Sequence, residues 1–194
     1  RVDDIVDAAD RQDTRGNVTI EAAIFMPFLL TLLFAIFSLH DAFRQKALNI
    51  KAAYTIADAL SRETEAIDDG YLDGMVDLMK FLTRSNGPYS MRVTLVRYDS
   101  GDEDNNVAAY HEVAWSQTRG VFGALDTAAL AEFAGKLPSM LDNERVILVE
   151  THTEYKAPFP FAGLDDRELF QTLVFTRPRF APQIVWANDL PLGS

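Results

Sequence analysis

The sequence predicts an α+β protein. One long N-terminal helix, transmembrane in its first half and amphipathic in its second, precedes a small antiparallel sheet domain with short helices. Three observations carry this. Ala22–Leu39 is an uncharged run of eighteen residues. The chain beyond it has neither Gly nor Pro until Gly70, in "AIDDGY". From Met91 onward, β-branched and aromatic segments alternate with turn-rich ones.

Within Ala22–Leu39 only Thr31 and Ser38 are polar, and both can bond back to their own helix. Crossing about 30 Å of hydrocarbon takes roughly 20 helical residues, with about 17 as the lower limit. A soluble helix of this length normally shows a polar face, and this run shows none. The competing readings are a buried soluble helix and a cleaved signal. Pro27 sits near the start, where a neighbouring helix or water can satisfy the carbonyl it frees. Residues 1–16 carry Asp3, Asp4, Asp7, Asp10 and Asp13 against Arg1, Arg11 and Arg15, whereas Arg44, Lys46 and Lys51 follow the run. Loop charge alone therefore slightly favours a cytoplasmic C-terminal side. A secretory signal wants a basic start and a small-residue cut site, and "FSLHDAF" supplies neither.

The 194 residues allow one or two domains, and opening on Arg1 fits a fragment whose natural start lies upstream. With 29 acidic against 18 basic side chains the formal charge is −11. That balance argues against nucleic-acid phosphates as a partner and against electrostatic adhesion to anionic lipid. No Cys is present, so disulfides, thiol nucleophiles and Cys-ligated metals are ruled out.

The helix is expected to run over 17–68, membrane-spanning at 22–39, and to stop at Asp68-Asp69-Gly70. Beyond the membrane Phe43, Ala47, Ile50, Tyr54, Ala57 and Ser61 follow a 4-3-4-3-4 spacing. That stripe either packs on the chain's own domain or meets helices of other subunits. In "GYLDGMVDLMKFLTRSNGPY", Leu72, Val76, Met79 and Leu82 predict a second helix. "MRVTLVRY" and "VAAYHEVAW" predict a hairpin around the polar loop "DSGDEDNN". "DTAALAEFAGKL" reads as a short helix capped by Asp126. "RVILVETHTEY" is the clearest strand: Ile147, Val149, Thr151, Thr153 and Tyr155 share one face, and Glu150, His152 and Glu154 a solvated one. A Pro-rich turn, "APFPFAGLDD", precedes the last strand, "LFQTLVFTR". The domain after the helix is expected to cover 69–194.

Glu21 stands at the mouth of the uncharged run. Asn17 can cap a helix starting there, and Glu21 in its first turn would complement the helix dipole. The order of parts supports a sharper reading. Gly16, then Asn17, then Glu21 at the fifth place after the Gly, then a continuous apolar helix resembles a type IV pilin signal. More closely, "RGNVTIEAAIFMPFLL", with Gly16, Val18-Thr19-Ile20, Glu21 and Pro27, resembles the N-terminal motif of the TadE/TadG-like pseudopilins of the tight-adherence (Flp) pilus system. "TLVFTRPRFAP", with Arg177-Pro178-Arg179, resembles the closing segment of those proteins. Asp69–Phe161 matches nothing in that family, and the acidic leader departs from its usual basic one.

The resemblance implies a pilin-like fold, a bacterial inner-membrane location, a cytoplasmic N-terminus and a periplasmic C-terminal domain, open to incorporation into a pilus. It implies cleavage between Gly16 and Asn17 by a membrane aspartyl prepilin peptidase. Other pilin or pseudopilin subunits, the pilus secretion machinery and the lipid bilayer are the implied partners. It also gives Glu21 a role. An unpaired carboxylate at membrane depth costs a few kcal/mol, and cleavage would leave an ammonium on Asn17, one helical turn away. Glu21 would pair with it, or with that of a neighbouring subunit.

No nucleophile elbow, Gly-rich phosphate loop or HExxH helix occurs, so an enzyme is not expected, nor any cofactor. Asp102, Asp104 and Asn106 have the spacing of the first EF-hand ligands. Val107 and Val113 then replace the required Gly and Glu, so a solvated loop is expected in place of a calcium site. Glu150, His152 and Glu154 are read as a solvated sheet face and not a metal patch. The expected function is a non-enzymatic minor pilin or pseudopilin acting in pilus assembly. The alternative is an uncleaved, membrane-anchored periplasmic binding or sensor domain.

Overall fold

Helix α1 covers Val2–Arg62 with Pro27 inside it. The computed structural model describes residues 2–84, 87–102, 106–155 and 170–189, and of residues 2–17 only the backbone. The predicted limits of 17 and 68 are thus corrected at both ends. Gly16 is isolated in an otherwise regular segment, and a lone Gly lowers helix propensity by about 1 kcal/mol without stopping a helix. The Asp68-Asp69-Gly70 signal is real but opens the next helix. Helix α2 covers Asp69–Thr83, and the Asp68 side chain caps it by accepting the Tyr71 N–H at 2.8 Å.

The chain divides between Ala42 and Phe43 into two units. In the first, every large apolar side chain from Val18 to Leu39 is exposed. This helix is long and apolar enough to cross a membrane. The Thr31 hydroxyl bonds back to the Pro27 carbonyl at 2.8 Å, so the polar side chain at mid-run is satisfied within its own helix.

Among the described residues of the second unit four strands follow: β1 Tyr89–Asp99, β2 Tyr110–Arg119, β3 Arg145–Thr153 and β4 Gln171–Thr176. They form one antiparallel sheet in the order β2-β1-β3-β4. A bulge at Leu95/Val96 shifts the β1–β2 register. Between β2 and β3 lie helix α3 (Thr127–Leu130) and a 3₁₀ turn over Ala131–Lys136. Asp126 caps α3 as expected, accepting the Ala129 N–H at 2.7 Å. The expected Pro-rich turn lies outside the described residues.

Both sheet faces are covered. Met91, Val93, Leu95, Trp115, Ile147, Val149 and Val174 meet Ala52, Ala53, Ile56, Ala57 and Leu60 of α1 and Leu72 and Met79 of α2. On the opposite face Val96 and Leu148 meet Leu125 and Leu130, with Phe133, Leu137, Leu173 and Phe175 packed around them. The helix face that packs is not the predicted stripe. Phe43 and Tyr54 are exposed, Ala47 with them, while Asn49 is buried. Of the predicted stripe, Ala57 and Ser61 are buried.

The last described segment ties helices to sheet. The Trp115 indole N–H donates to the Ile184 carbonyl at 3.0 Å, and Trp186 pairs with Ile67 as a parallel bridge. The Arg179 N–H donates to the Ser61 carbonyl at 2.8 Å. That contact satisfies one of the carbonyls left open by the end of α1 at Arg62.

Candidate functional site

Gly16 and Asn17 lie inside α1, well past its start, and Glu21 is exposed on it. In the uncut chain Asn17 therefore starts no helix, and Glu21 has no helix N-terminus beside it to complement. Removal of residues 1–16 would create both at once: the open N–H groups of a helix end and an ammonium four residues from the carboxylate. From Val18 to Leu39 Glu21 is the sole charged residue. Pro27 follows it by six places within an uninterrupted helix.

The exposed end of the second unit carries the Arg177-Pro178-Arg179 segment. Arg177 is ion-paired to Glu144, and its guanidinium donates to the Ser139 carbonyl at 2.9 Å. Arg179 lies 3.5 Å from Asp58 of α1. A surface concavity of about 390 Å³ is bounded by Pro138, Val146, Phe175, Thr176, Arg177 and Arg179. A neighbouring one of about 340 Å³ shares Arg177 with Ser139, Met140, Leu141 and Glu144. Arg177 thus stands between two shallow depressions, holding the loop before β3 against the end of β4.

On the second sheet face, residue pairing places Arg92 opposite Glu150. Their side chains form an ion pair, Glu150 being almost fully buried and Arg92 nearly so. Arg92 also donates to the Gly123 carbonyl at 2.9 Å, and its guanidinium sits 5.3 Å from the centre of the Phe122 ring. Gly120, at the end of β2, lets the chain pass close to Ser90. Its φ is +85°, and a Cβ there would stand 2.3 Å from the Ser90 hydroxyl oxygen, so no other residue fits without displacing Ser90. The expected solvated face of Glu150 is corrected: Phe122, packed edge-on against His152, and Gly123 help cover it. Sequence alone could not show this, because the Arg92–Glu150 partnership depends on strand register.

Arg119 clamps the end of β2 to α2. Arg119 donates at 2.6 Å to both Asp73 and Asp69 of α2. Asp73, then Asp69, hold its guanidinium even more firmly protonated than usual. Burial and the neighbouring Glu63 carboxylate push the Tyr71 phenol up to about 12. The Ser100 N–H, bonded to the Asp142 carboxylate at 2.9 Å, holds that carboxyl below its ordinary range. In the β1–β2 loop, Asp102 and Val107 exchange backbone bonds at 2.9 and 2.8 Å. Asp104 lies outside the described residues. Among the described residues no three His, Asp or Glu side chains are grouped to hold a metal ion.

Compared with protein-family models, curated proteins and solved structures, the chain matches none.

Proposed function

We propose that this chain is a non-enzymatic, pilin-like subunit that acts in assembly of a tight-adherence pilus. In this reading α1 anchors it in a bacterial inner membrane, with residues 1–16 cytoplasmic and the sheet domain periplasmic. A prepilin peptidase cuts after Gly16, and Glu21 then pairs with the new ammonium of Asn17, its own or a neighbour's. Such pairing offsets the cost of a carboxylate in a poor solvent for charge and adds little stability beyond that.

One observation carries the reading. Glu21 is the single charge in the exposed apolar stretch of α1 from Val18 to Leu39, five places after Gly16 and one turn from Asn17. A long helix whose second half packs on an antiparallel sheet supports it. The test is mass spectrometry of the mature N-terminus in cells with and without the peptidase. A chain beginning at Asn17 only when the peptidase is present is expected. Intact leader on all copies in cells with normal pili overturns the reading.

The twin concavities around Arg177 favour the second reading, an uncleaved membrane-anchored binding or sensor domain. In that case the leader stays, and Arg177→Ala abolishes the response while Glu21→Gln is silent.

A further inference from the structure

The face of α1 that the sheet domain does not use is itself patterned. Phe43, Ala47, Ile50 and Tyr54 follow one another at 4-3-4 spacing, the alternation of positions d and a in a coiled-coil seam. Phe43 is 65% and Tyr54 61% exposed. Two aromatic side chains of that size gain nothing from water, and the core of their own domain is made by the opposite face, Asn49, Ala52, Ala53, Ile56 and Leu60.

In that register Arg44 and Lys51 fall at e and Lys46 at g. These are the flanking positions whose charges select the partner in paired helices. All three are basic, and no Asp or Glu occurs from Phe43 to Ala57, in a chain whose formal charge is −11. Neither Lys46 nor Lys51 has an acidic partner among the described residues. A second copy brought against this seam in parallel would set cation against cation. The geometry points to a different occupant: we propose that this stripe docks the helix of another subunit, one with apolar a and d positions and acidic e and g positions. The seam spans only about 16 Å at 1.5 Å per residue. It therefore acts where both helices are already concentrated, as in one membrane. The pairing depends on this face of α1 and holds whether or not residues 1–16 are removed.

The test uses the full chain in nanodiscs of neutral phosphatidylcholine. Two synthetic heptad peptides serve as probes, both with Leu at a and d, one with Glu and the other with Lys at e and g. Fluorescence anisotropy should show the Glu peptide bound at least about tenfold more tightly than the Lys peptide, the preference shrinking with salt. The paired changes Lys46→Glu and Lys51→Glu, both on exposed or half-exposed positions, should reverse it. Tyr54→Ala should weaken both peptides, and an unchanged circular dichroism spectrum shows that each variant is folded. Equal affinity for the two peptides, or binding of neither, overturns the proposal. So does self-association of the chain that Tyr54→Ala abolishes. Binding to phosphatidylserine nanodiscs without binding of the Glu peptide would assign the basic residues to lipid instead. None of these outcomes bears on cleavage after Gly16, which the N-terminal mass measurement decides separately.

Discussion

The Thr153 hydroxyl donates a hydrogen bond to the Asn49 side-chain oxygen at 3.0 Å, joining the second half of α1 to the end of β3 across 104 residues of chain. Both residues are fully buried, and the Asn49 amide nitrogen is satisfied by the Gln45 carbonyl at 3.1 Å. A buried polar group left without its partner costs about 1–3 kcal/mol. Asn49→Leu should therefore destabilise the sheet domain by that amount in urea unfolding. The double change Asn49→Leu with Thr153→Val should recover part of the loss. A single change with no effect would show that the bond contributes nothing net.

The sheet domain should need the second half of α1. Ile56 and Leu60 are completely buried, with Ala52, Ala53 and Ala57 beside them, and each large apolar side chain contributes about 1.5–3 kcal/mol. A fragment beginning near Phe43 is expected to be folded, with mixed α and β circular dichroism. One beginning at Asp69 is expected to be unfolded or aggregated, since one sheet face would lose its cover. A cooperative melt from the shorter fragment would refute this.

Breaking the Arg92–Glu150 pair on one side should be costly. Arg92→Met leaves a carboxylate that is buried on all sides, a situation worth roughly 3–5 kcal/mol of destabilisation. Arg92→Met combined with Glu150→Leu should be far milder, because no uncompensated charge remains. Chemical denaturation of the three variants gives the comparison, and a double variant as unstable as the single one would contradict it.

Tyr71 should ionise late. Its pKa is raised to about 12 in the fold, above the ordinary value near 10. The folded state thus favours the neutral phenol. The stabilising contribution is complete below pH 10 and is lost as pH rises through about 12. Absorbance titration should show a late phase that Tyr71→Phe removes. Its presence in that variant would assign it elsewhere.

If the proposed pilin-like role holds, Glu21→Gln should leave insertion, cleavage and the fold of the sheet domain intact while pili become few or absent. If the carboxylate only complements a helix dipole, the change costs under about 1 kcal/mol and pili are normal. Pilus counts alongside membrane level of the variant distinguish the two.

Much of this architecture is legible in the sequence, and the failures share a cause. The Asp126 cap, the apolar run and the four strands show in local pattern, whereas Asp68-Asp69-Gly70 reads as a stop and in fact caps α2. The packed face of α1 does not, because Gln45 and Asn49 make it look polar while Phe43 and Tyr54 make the outer face look like a core. Only the distant Thr153 reveals that Asn49 is satisfied. Glu150 misleads in the same way, since its partner Arg92 lies 58 residues away. Glu21 stands out in the sequence as the lone carboxylate of an apolar run, and its local explanation as a first-turn residue fails in the uncut chain because α1 extends upstream of it.

The sheet order β2-β1-β3-β4 puts β1 and β3 at the centre, with side chains packed above and below. Opening either strand demands that both layers separate, whereas β2 and β4 can peel from the margins. Amide deuterium uptake should therefore be slowest at Val93–Val96 and Ile147–Val149, near the rate of global unfolding. The margins should exchange through cheaper local openings. The Arg177 concavities, which border on β4, would then belong to the part of the domain that can rearrange while its centre stays shut.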